Sequence, residues 1–325
     1  MYGNDRTPPK TLNAKGRGLR VNFVQGGETM IFSEWFDEFY ETYCDGVLSY
    51  DCAVEYKIIN EKHFRPIANM ELENIKPIHV QRCLNTAKTY STSRQRKVYF
   101  LLKRCLNEAV LNEYASKNAA EKVKAPKKIT KNFVPLTKTQ LKQLFEEETP
   151  DILMFKLELW TGLRRGEILA LKWENINFDE GYINVCQTLV NSKGHAIIRN
   201  STKSNKDRRV PLCDESRRIL AAVQSADKSK KGYVFHNERG EPLSFTVYHT
   251  HYKKFFRERQ EKYPNIPYIP PHKLRHTYAT YILQSGGDIE TLRCMLGHSS
   301  ISTTAIYVHS SFEQMKAAAN RLNYH

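Results

Sequence analysis

The residues best suited to catalysis lie in the second half of the chain. Tyr307 carries a phenol that can act as a covalent nucleophile. Arg164 and Arg275 can clamp the oxygens of a phosphate through paired hydrogen bonds. His272 and His298 can exchange a proton near neutral pH. With a lysine, this set suits phosphoryl transfer, and the absence of an acidic cluster with metal-ligand character in the sequence argues against a two-metal nuclease.

The first two of the four segments that carry these residues are an arginine segment and a lysine segment. In TGLRRGEILALKW, which contains Arg164, a glycine turn leads into an amphipathic helix, and Glu167 at its start could brace an arginine from beneath. In TKSNKDRRVPL, Lys203 and Lys206 lie at a predicted hairpin turn, where a lysine is mobile and exposed. The plainer alternatives are an amphipathic helix with basic residues on its surface and a solvated lysine.

The other two segments contain the histidines. In HKLRH, His272 and Arg275 are three residues apart, so on a helix they share a face. In LGHSS, Gly297 predicts the end of a helix, which would direct His298 into a pocket. The following serines and threonines are expected to present Tyr307 on a flexible segment between two helices. A lone histidine or tyrosine in such a segment would usually be structural, so only the combination of these residues indicates catalysis.

Composition narrows the class of protein. The chain of 325 residues has a formal net charge of +15, which favours a polyanionic partner because neutralised phosphates release counterions. Solubility alone is the alternative reading of that charge. The seven cysteines are scattered and form no C-x-x-C pair, which argues against a disulfide framework and a zinc site. Without a long apolar run or a signal peptide, a cytoplasmic protein with no membrane partner is expected.

Pattern and composition divide the chain into four parts. We predict a flexible arm at 1–30, a helical domain at 31–120, a basic linker at 121–135 and a second domain at 136–325. The second domain should contain short strands in YINVCQTL, HAIIRN and RRVPL, with helices before and after them.

The helical domain should contain four helices. Ser33 is the predicted N-cap of the first, Tyr50–Asn60 the second, Pro77 the first turn of the third, and Ser93–Tyr114 the fourth. A basic cluster on the fourth helix and in the linker is either a solvated face or a surface that contacts DNA phosphates. Its members are Arg94, Arg96, Lys97, Lys127, Lys128 and Lys131.

Taken together, the four segments resemble the tyrosine recombinase (phage integrase) family, of the mobile-element integrase type. They occur in the family's order, and Tyr307 follows His298 by nine residues, as in the family. The resemblance implies that Tyr307 is the nucleophile that takes the scissile phosphate as a 3′-phosphotyrosyl bond. It also implies that Arg164 and Arg275 stabilise the pentacovalent transition state.

The remaining roles are also implied by the resemblance. Lys203 matches the general acid that protonates the 5′-hydroxyl leaving group, and it is chosen over Lys206 because it lies eight residues before Pro211. His272 matches the acceptor of the tyrosine proton, and His298 matches the position that hydrogen-bonds the phosphate. Glu167 matches an acidic residue that supports the arginines.

The fold implied by this resemblance is mainly α with a small antiparallel β-sheet (α+β). A helical bundle and a tyrosine recombinase catalytic domain would form a two-domain DNA clamp, and a tail helix at 310–325 would dock on a neighbouring protomer.

The resemblance also implies partners. They are double-stranded DNA recombination sites, further copies of the chain in a homotetramer on DNA, and accessory directionality or bending proteins. Integration or excision would pass through a Holliday junction and would need neither ATP nor a metal cofactor. The reaction would take place at the nucleoid in a bacterial cytoplasm. A type IB topoisomerase and a non-enzymatic DNA-binding protein are the alternatives.

Overall fold

A computed structural model of the chain describes five stretches, which form two compact units, one on each side of residues 130–133. The described stretches are 30–129, 134–193, 195–200, 207–227 and 231–307. The predictions for the N-terminal arm, for Lys203, for Lys131 and for the tail helix therefore lie outside the described residues. Residues 121–129, which the sequence assigns to the linker, group with the first unit.

Four α-helices make up the described part of the first unit. They are α1 (Phe32–Tyr43), α2 (Tyr50–His63), α3 (Pro77–Asn85) and α4 (Thr92–Leu111). Three 3-10 turns at Arg65–Ile67, Leu72–Asn74 and Ala119–Lys122 join or follow them. Aromatic residues recur along one face of α1 and are buried, and the indole nitrogen of Trp35 donates to the carbonyl of Cys105 at 2.9 Å. This hydrogen bond and the packing of the surrounding aromatic side chains hold α1 against α4.

The helix boundaries differ from the sequence predictions where backbone partners come from distant residues. Ser33 is not the N-cap of α1, which begins at Phe32 because the backbone N–H groups of Phe32 and Ser33 donate to the carbonyls of Met70 and Ala68. Pro77 opens α3 as predicted. The predicted fourth helix is too long at its C-terminal end, since α4 stops at Leu111 and the positive φ of Glu113, 65°, breaks the helical path.

The described part of the second unit surrounds the apolar helix α6 with further helices. They are α5 (Lys138–Leu144), α6 (Pro150–Thr161), α7 (Arg165–Leu169), α8 (Asp214–Ala226), α9 (Phe245–Lys262), α10 (His272–Gln284), α11 (Ile289–Leu296) and α12 (Ile301–Thr304). The hydroxyl of Thr149 caps α6, and Pro150 occupies its first turn. Phe155 packs edge-on against Tyr248 and Tyr252 of α9, with ring centroids 5.2 and 5.0 Å apart. Every residue of α6 from 152 to 159 is buried, and this packing fixes the position of the turn that follows the helix.

The strands form two small antiparallel sheets instead of one. They are β1 (Ile176–Asn177), β2 (Tyr182–Val185), β3 (Gln187–Ser192), β4 (His195–Asn200) and β5 (Arg208–Pro211). One sheet has the order β1-β2-β5, and β3 pairs with β4 in the other. The predicted fold class, mainly α with small antiparallel β structure, is confirmed. Within the described ranges, no helix combines the length and the apolar character that crossing a membrane requires.

Candidate active site

A glycine turn after α6 presents Arg164. Gly162 ends α6 with a φ of +62°, and a Cβ atom there would collide with the ring of Tyr278. Both facts require glycine at this position. Arg164 then adopts an extended backbone as the N-cap residue of α7, with Glu167 three residues later. The carboxylate of Glu167 accepts a hydrogen bond from the backbone N–H of Arg164 at 2.7 Å, which fixes the start of α7.

The Arg164 guanidinium is held by two acceptors. Its Nη1 donates to Glu167 Oε1 at 2.9 Å, and its Nη2 donates to the carbonyl oxygen of Gly297 at 3.0 Å. The Arg164 side chain is 40% exposed, whereas that of Glu167 is only 1% exposed. A guanidinium has further N–H donors beyond these two, so Arg164 can bind an oxyanion while it is held from below.

Two arginines keep the buried Glu167 ionised. Burial by itself acts to raise the pKa of Glu167, because it disfavours the charged form. The hydrogen bonds and the charge of Arg208, together with the charge of Arg164, outweigh burial and hold that pKa below its usual range. Glu167 is therefore a carboxylate at neutral pH, and the expectation that it braces an arginine agrees with its contacts.

Arg275 is the second arginine of the site and lies on the buried face of α10. Only 7% of it is exposed. Its Nη1 donates to the carbonyl of Gly162 at 2.6 Å, and its Nη2 lies within hydrogen-bond distance of the Leu296 carbonyl and of His298 Nε2. Burial, reinforced by the charge of Arg164, lowers the pKa of Arg275 to about 9, so this side chain still carries its charge at neutral pH.

His298 follows the end of α11, as the sequence predicts. Gly297 has a φ of +64° and ends the helix. The Nδ1 atom of His298 lies 2.9 Å from the hydroxyl oxygen of Thr304, and its Nε2 faces Arg275. Burial and then the charge of Arg275 lower the pKa of His298 to about 4, so its imidazole is neutral at neutral pH. A neutral ring can donate a hydrogen bond to a phosphate without adding charge.

Tyr307 is buried beside these groups. It ends a 3-10 turn, Ala305–Tyr307, that follows α12. The segment before it, which the sequence analysis expects to be flexible, contains the short helix α12, and Ser300 caps that helix. Burial raises the pKa of Tyr307, and the charges of Arg275 and Arg164 act in the opposite direction. The site thus holds a neutral phenol next to two cations that would stabilise its anion.

Of the two histidines on α10, His276 is the one whose ring packs against Tyr307. The two ring centroids lie 4.9 Å apart, and His298 stacks near Tyr307 at 6.3 Å. His272 lies one turn earlier, exposed, with its ring 5.7 Å from that of His276. Partial burial, with the charges of Lys273 and Arg165, lowers the pKa of His272. His276 is not among the site residues predicted from the sequence, although its i, i+4 spacing from His272 in HKLRH was a usable signal.

The structure therefore gathers Arg164, Glu167, Arg275, His298 and Tyr307 in one site of the second unit. The predicted general acid Lys203 lies outside the described residues. In the part of the chain that the structure describes, His, Cys, Asp and Glu side chains nowhere form a group of three or more that could hold a metal ion.

The basic cluster predicted in the first unit is partly engaged in contacts. Glu55 of α2 accepts hydrogen bonds from Arg94 at 3.0 Å and from Lys97 at 2.8 Å. Arg96 donates to the carbonyl of Pro126 at 2.6 Å and lies over the ring of Phe100. The other members that the structure describes, Lys127 and Lys128, are exposed.

Residues 134–314 match the profile of the phage integrase family. The chain belongs to this family. Curated relatives include a XerC-like tyrosine recombinase of Caldanaerobacter subterraneus, 29% identical over 81% of this chain and 76% of the relative. The tyrosine recombinase XerA of Pyrococcus furiosus is 30% identical over 73% of this chain and 77% of the relative. The protein is thus a tyrosine-type site-specific DNA recombinase.

Solved structures with the same fold include two integrases. The Tn1549 transposon integrase in complex with a circular intermediate DNA has a TM-score of 0.76 at 18% identity, over 89% of this chain and 98% of that one. A lambda integrase tetramer bound to a Holliday junction has a TM-score of 0.67 at 18% identity, over 87% of this chain and 80% of that one. These likenesses show that the recombinase has the fold of the integrases.

Proposed function

We propose that the recombinase cuts and rejoins DNA through a 3′-phosphotyrosyl bond to Tyr307, in the integration or excision of a mobile element. The observation that carries the proposal is the burial of the Tyr307 ring in the same site as Arg275, Arg164 and His298. Of the 18 tyrosines in the chain, this one combines that setting with the family's spacing from the Leu-Gly-His segment.

In the cleavage step, the phenol oxygen of Tyr307 attacks the scissile phosphorus in line with the bridging 5′ oxygen. A bond between phosphorus and the tyrosine oxygen forms while the bond to the 5′ oxygen breaks. The phenol proton passes to His272, and Lys203 gives a proton to the leaving 5′ oxygen, as the family resemblance implies. Attack by a 5′-hydroxyl of the partner strand reverses these steps and rejoins the DNA. The phosphotyrosine conserves the phosphodiester energy, so the proposal needs no ATP.

The two arginines act on the charge of the transition state. Negative charge develops on the non-bridging oxygens, where donors fixed in advance stabilise it at no further cost of reorganisation. The carbonyls of Gly162 and Gly297 hold Arg275 and Arg164 respectively. His298 would donate a hydrogen bond from Nε2 to the same phosphate, in place of the bond that this atom accepts from Arg275 in the described structure. These contacts support the assignment of all three residues to phosphate binding.

The relatives and the net charge support a DNA context for the proposed reaction. A tetramer on two double-stranded sites, with strand exchange through a Holliday junction, is supported by the fold shared with the lambda integrase tetramer on that substrate. Similarity in fold to a transposon integrase supports a mobile-element role. Arg94, Arg96, Lys97 and the linker lysines would contact DNA phosphates. Accessory directionality or bending proteins would be further partners, and the site of action would be the nucleoid of a bacterial cytoplasm.

The test is covalent capture on a nicked suicide substrate, with Tyr307→Phe as the variant and Tyr268→Phe, an exposed tyrosine of the same unit, as the matched control. Tyr307→Phe removes one oxygen, so it should bind DNA and form no adduct, while the control should form adducts at the wild-type rate. Peptide mapping should place the phosphate on Tyr307. An adduct on another tyrosine, or relaxation of supercoils without recombination between two sites, would refute the proposal.

A further inference from the structure

We propose that Arg208 is a positioning residue of the active site, which holds Glu167, and through it Arg164, in the orientation that receives the scissile phosphate. The inference rests on the proposed role of Arg164 in phosphate binding. Arg208 is not among the site residues predicted from the sequence, although it lies in the lysine segment TKSNKDRRVPL. Arg208 would act through Glu167 and not by touching the DNA.

The first observation is a three-point anchor around Arg208. Its Nη1 and Nη2 atoms donate to Oε1 and Oε2 of Glu167 at 2.9 and 2.6 Å, which is a bidentate pair. Its Nε donates to the carbonyl of Met295 at 3.0 Å. The Arg208 side chain is only 10% exposed. One guanidinium therefore joins the arginine segment to the end of α11, from which His298 follows.

The second observation is the close packing of Arg208 against Gly297. A Cβ atom at Gly297 would lie 2.9 Å from Cδ of Arg208, so the turn leaves room for this side chain only because it contains glycine. The Gly297 carbonyl is also an acceptor for Arg164, at 3.0 Å. Arg208 thus contacts both structures that hold Arg164, the Glu167 carboxylate on one side and the 295–297 turn on the other.

The negative charge of Glu167 explains why this residue needs Arg208 as a partner in addition to Arg164. Glu167 is buried, and the loss of one partner of a buried carboxylate leaves negative charge that only its remaining partners can compensate. Without Arg208, both oxygens of Glu167 would compete for the guanidinium of Arg164 and draw its donors away from the phosphate. With Arg208 bound in a bidentate pair, Glu167 needs only one hydrogen bond from the Arg164 side chain. Lysine cannot replace this arrangement, since an ammonium group lacks the planar fork.

The strand supplies a matched control. Arg208 pairs with Val185 in the β2–β5 ladder, and neighbouring residues of a strand point to opposite faces. The next residue, Arg209, lies over the ring of Tyr182 and 3.9 Å from Glu180, with 69% of its side chain exposed. Arg209→Lys therefore makes the same chemical change one residue away from the anchor.

The experiment compares Arg208→Lys with Arg209→Lys in single-turnover cleavage of a suicide substrate at saturating DNA. Arg208→Lys should slow cleavage by about a hundredfold, the loss that a misplacement of roughly 1 Å produces, with DNA affinity unchanged. Arg209→Lys should cleave like the wild type. Equal rates for the two variants would refute the inference. A wild-type enzyme that forms no adduct would instead refute the proposed function.

A double-mutant cycle covers the case in which Arg208→Lys fails to fold. Glu167→Gln and Arg208→Gln, alone and combined, should show strong non-additivity, because residues that act as a unit lose their effect together. The double variant should cleave no more slowly than Glu167→Gln alone, and additive losses would refute the inference.

A substrate with a 5′-bridging phosphorothiolate distinguishes an effect of Arg208 through Arg164 from an effect through the general acid. A sulfur leaving group needs no proton from a general acid. If Arg208 acts through Glu167 and Arg164, this substrate will not restore cleavage by Arg208→Lys. Restored cleavage would show that Arg208 acts on the general acid and would refute the inference.

Discussion

The two units differ in what they bury. In the described part of the first unit, the buried polar side chains are His63 and Asn118, and burial lowers the pKa of His63 so that it stays neutral. The described part of the second unit buries five acidic or basic side chains, which are Lys156, Glu158, Glu167, Arg259 and Arg275. The first unit therefore has an ordinary apolar core with its charges at the surface, whereas the second has charges inside.

This contrast separates binding from chemistry. A buried charge is costly unless it is paired, so each one in the second unit constrains its neighbours to a fixed geometry. Fixed donors are what phosphoryl transfer requires. Surface lysines and arginines of the first unit share the DNA affinity among many weak contacts. Substitutions in the two units should therefore have different consequences, and the following predictions test that contrast.

The largest effect is expected at Arg275. Arg275→Lys should reduce the rate of suicide-substrate cleavage by about a hundredfold or more, because one fixed donor to the transition state is lost. Gel-shift affinity for the recombination site should change little. The matched control is Arg259→Lys, which alters another buried arginine of the same unit, one that pairs with Glu146 and Glu147.

The complementary variant is Arg94→Ala with Lys97→Ala in the first unit. It should weaken binding yet cleave normally once DNA is saturating. If Arg259→Lys lowers cleavage as much as Arg275→Lys, or if the first-unit variant fails to cleave at saturation, the division between the units does not hold.

A smaller effect concerns the stability of the second unit at acid pH. Burial and nearby charges lower the pKa of His276 to about 4. The unfolded chain binds a proton near pH 6.5 whereas the folded chain does not, so this stabilisation is complete above pH 6.5 and is lost as the pH falls towards 4. After a discount for partial exposure, the loss between pH 7 and pH 5 should be about 1–2 kcal/mol.

The measurement compares the wild type with His276→Gln by urea unfolding at both pH values. Burial raises the pKa of Glu158 to about 8, which gives a slope of opposite sign, so the difference between the two proteins is the informative quantity. A Trp35→Phe background leaves Trp160 and Trp173 as fluorescent reporters of the second unit. An equal pH dependence in both proteins would contradict the assignment to His276.

The smallest effect is expected from single lysines of the first unit. Lys127→Gln and Lys128→Gln should each reduce the slope of log affinity against log salt by roughly one unit, if each lysine contacts one phosphate. Lys62→Gln on α2 removes the same charge outside the basic cluster and should leave the slope nearly unchanged. Equal slopes for all three variants would mean that the segment after α4 is a solvated connector.

Much of the local structure in both units could be predicted because its signals lie close together in the sequence. The glycines that end α6 and α11, the proline that opens α3, and the alternating strands depend on residues close in sequence, so the sequence determined them. The candidate residues were found for a similar reason, since each lies in a short segment of distinctive composition. The boundaries that failed, at Ser33 and after Leu111, depend on backbone partners and on a local φ that composition does not reveal.

The tertiary structure alone decided which groups meet. Arg275 bonds to a carbonyl 113 residues earlier in the chain, and Arg208 bonds to Glu167 across 41 residues. The local pattern does not show that Arg208 meets Glu167, or that His276 and not His272 packs against Tyr307. These choices depend on the packing of α6, α10 and α11, because a buried charge takes the partners that the fold brings within hydrogen-bond reach.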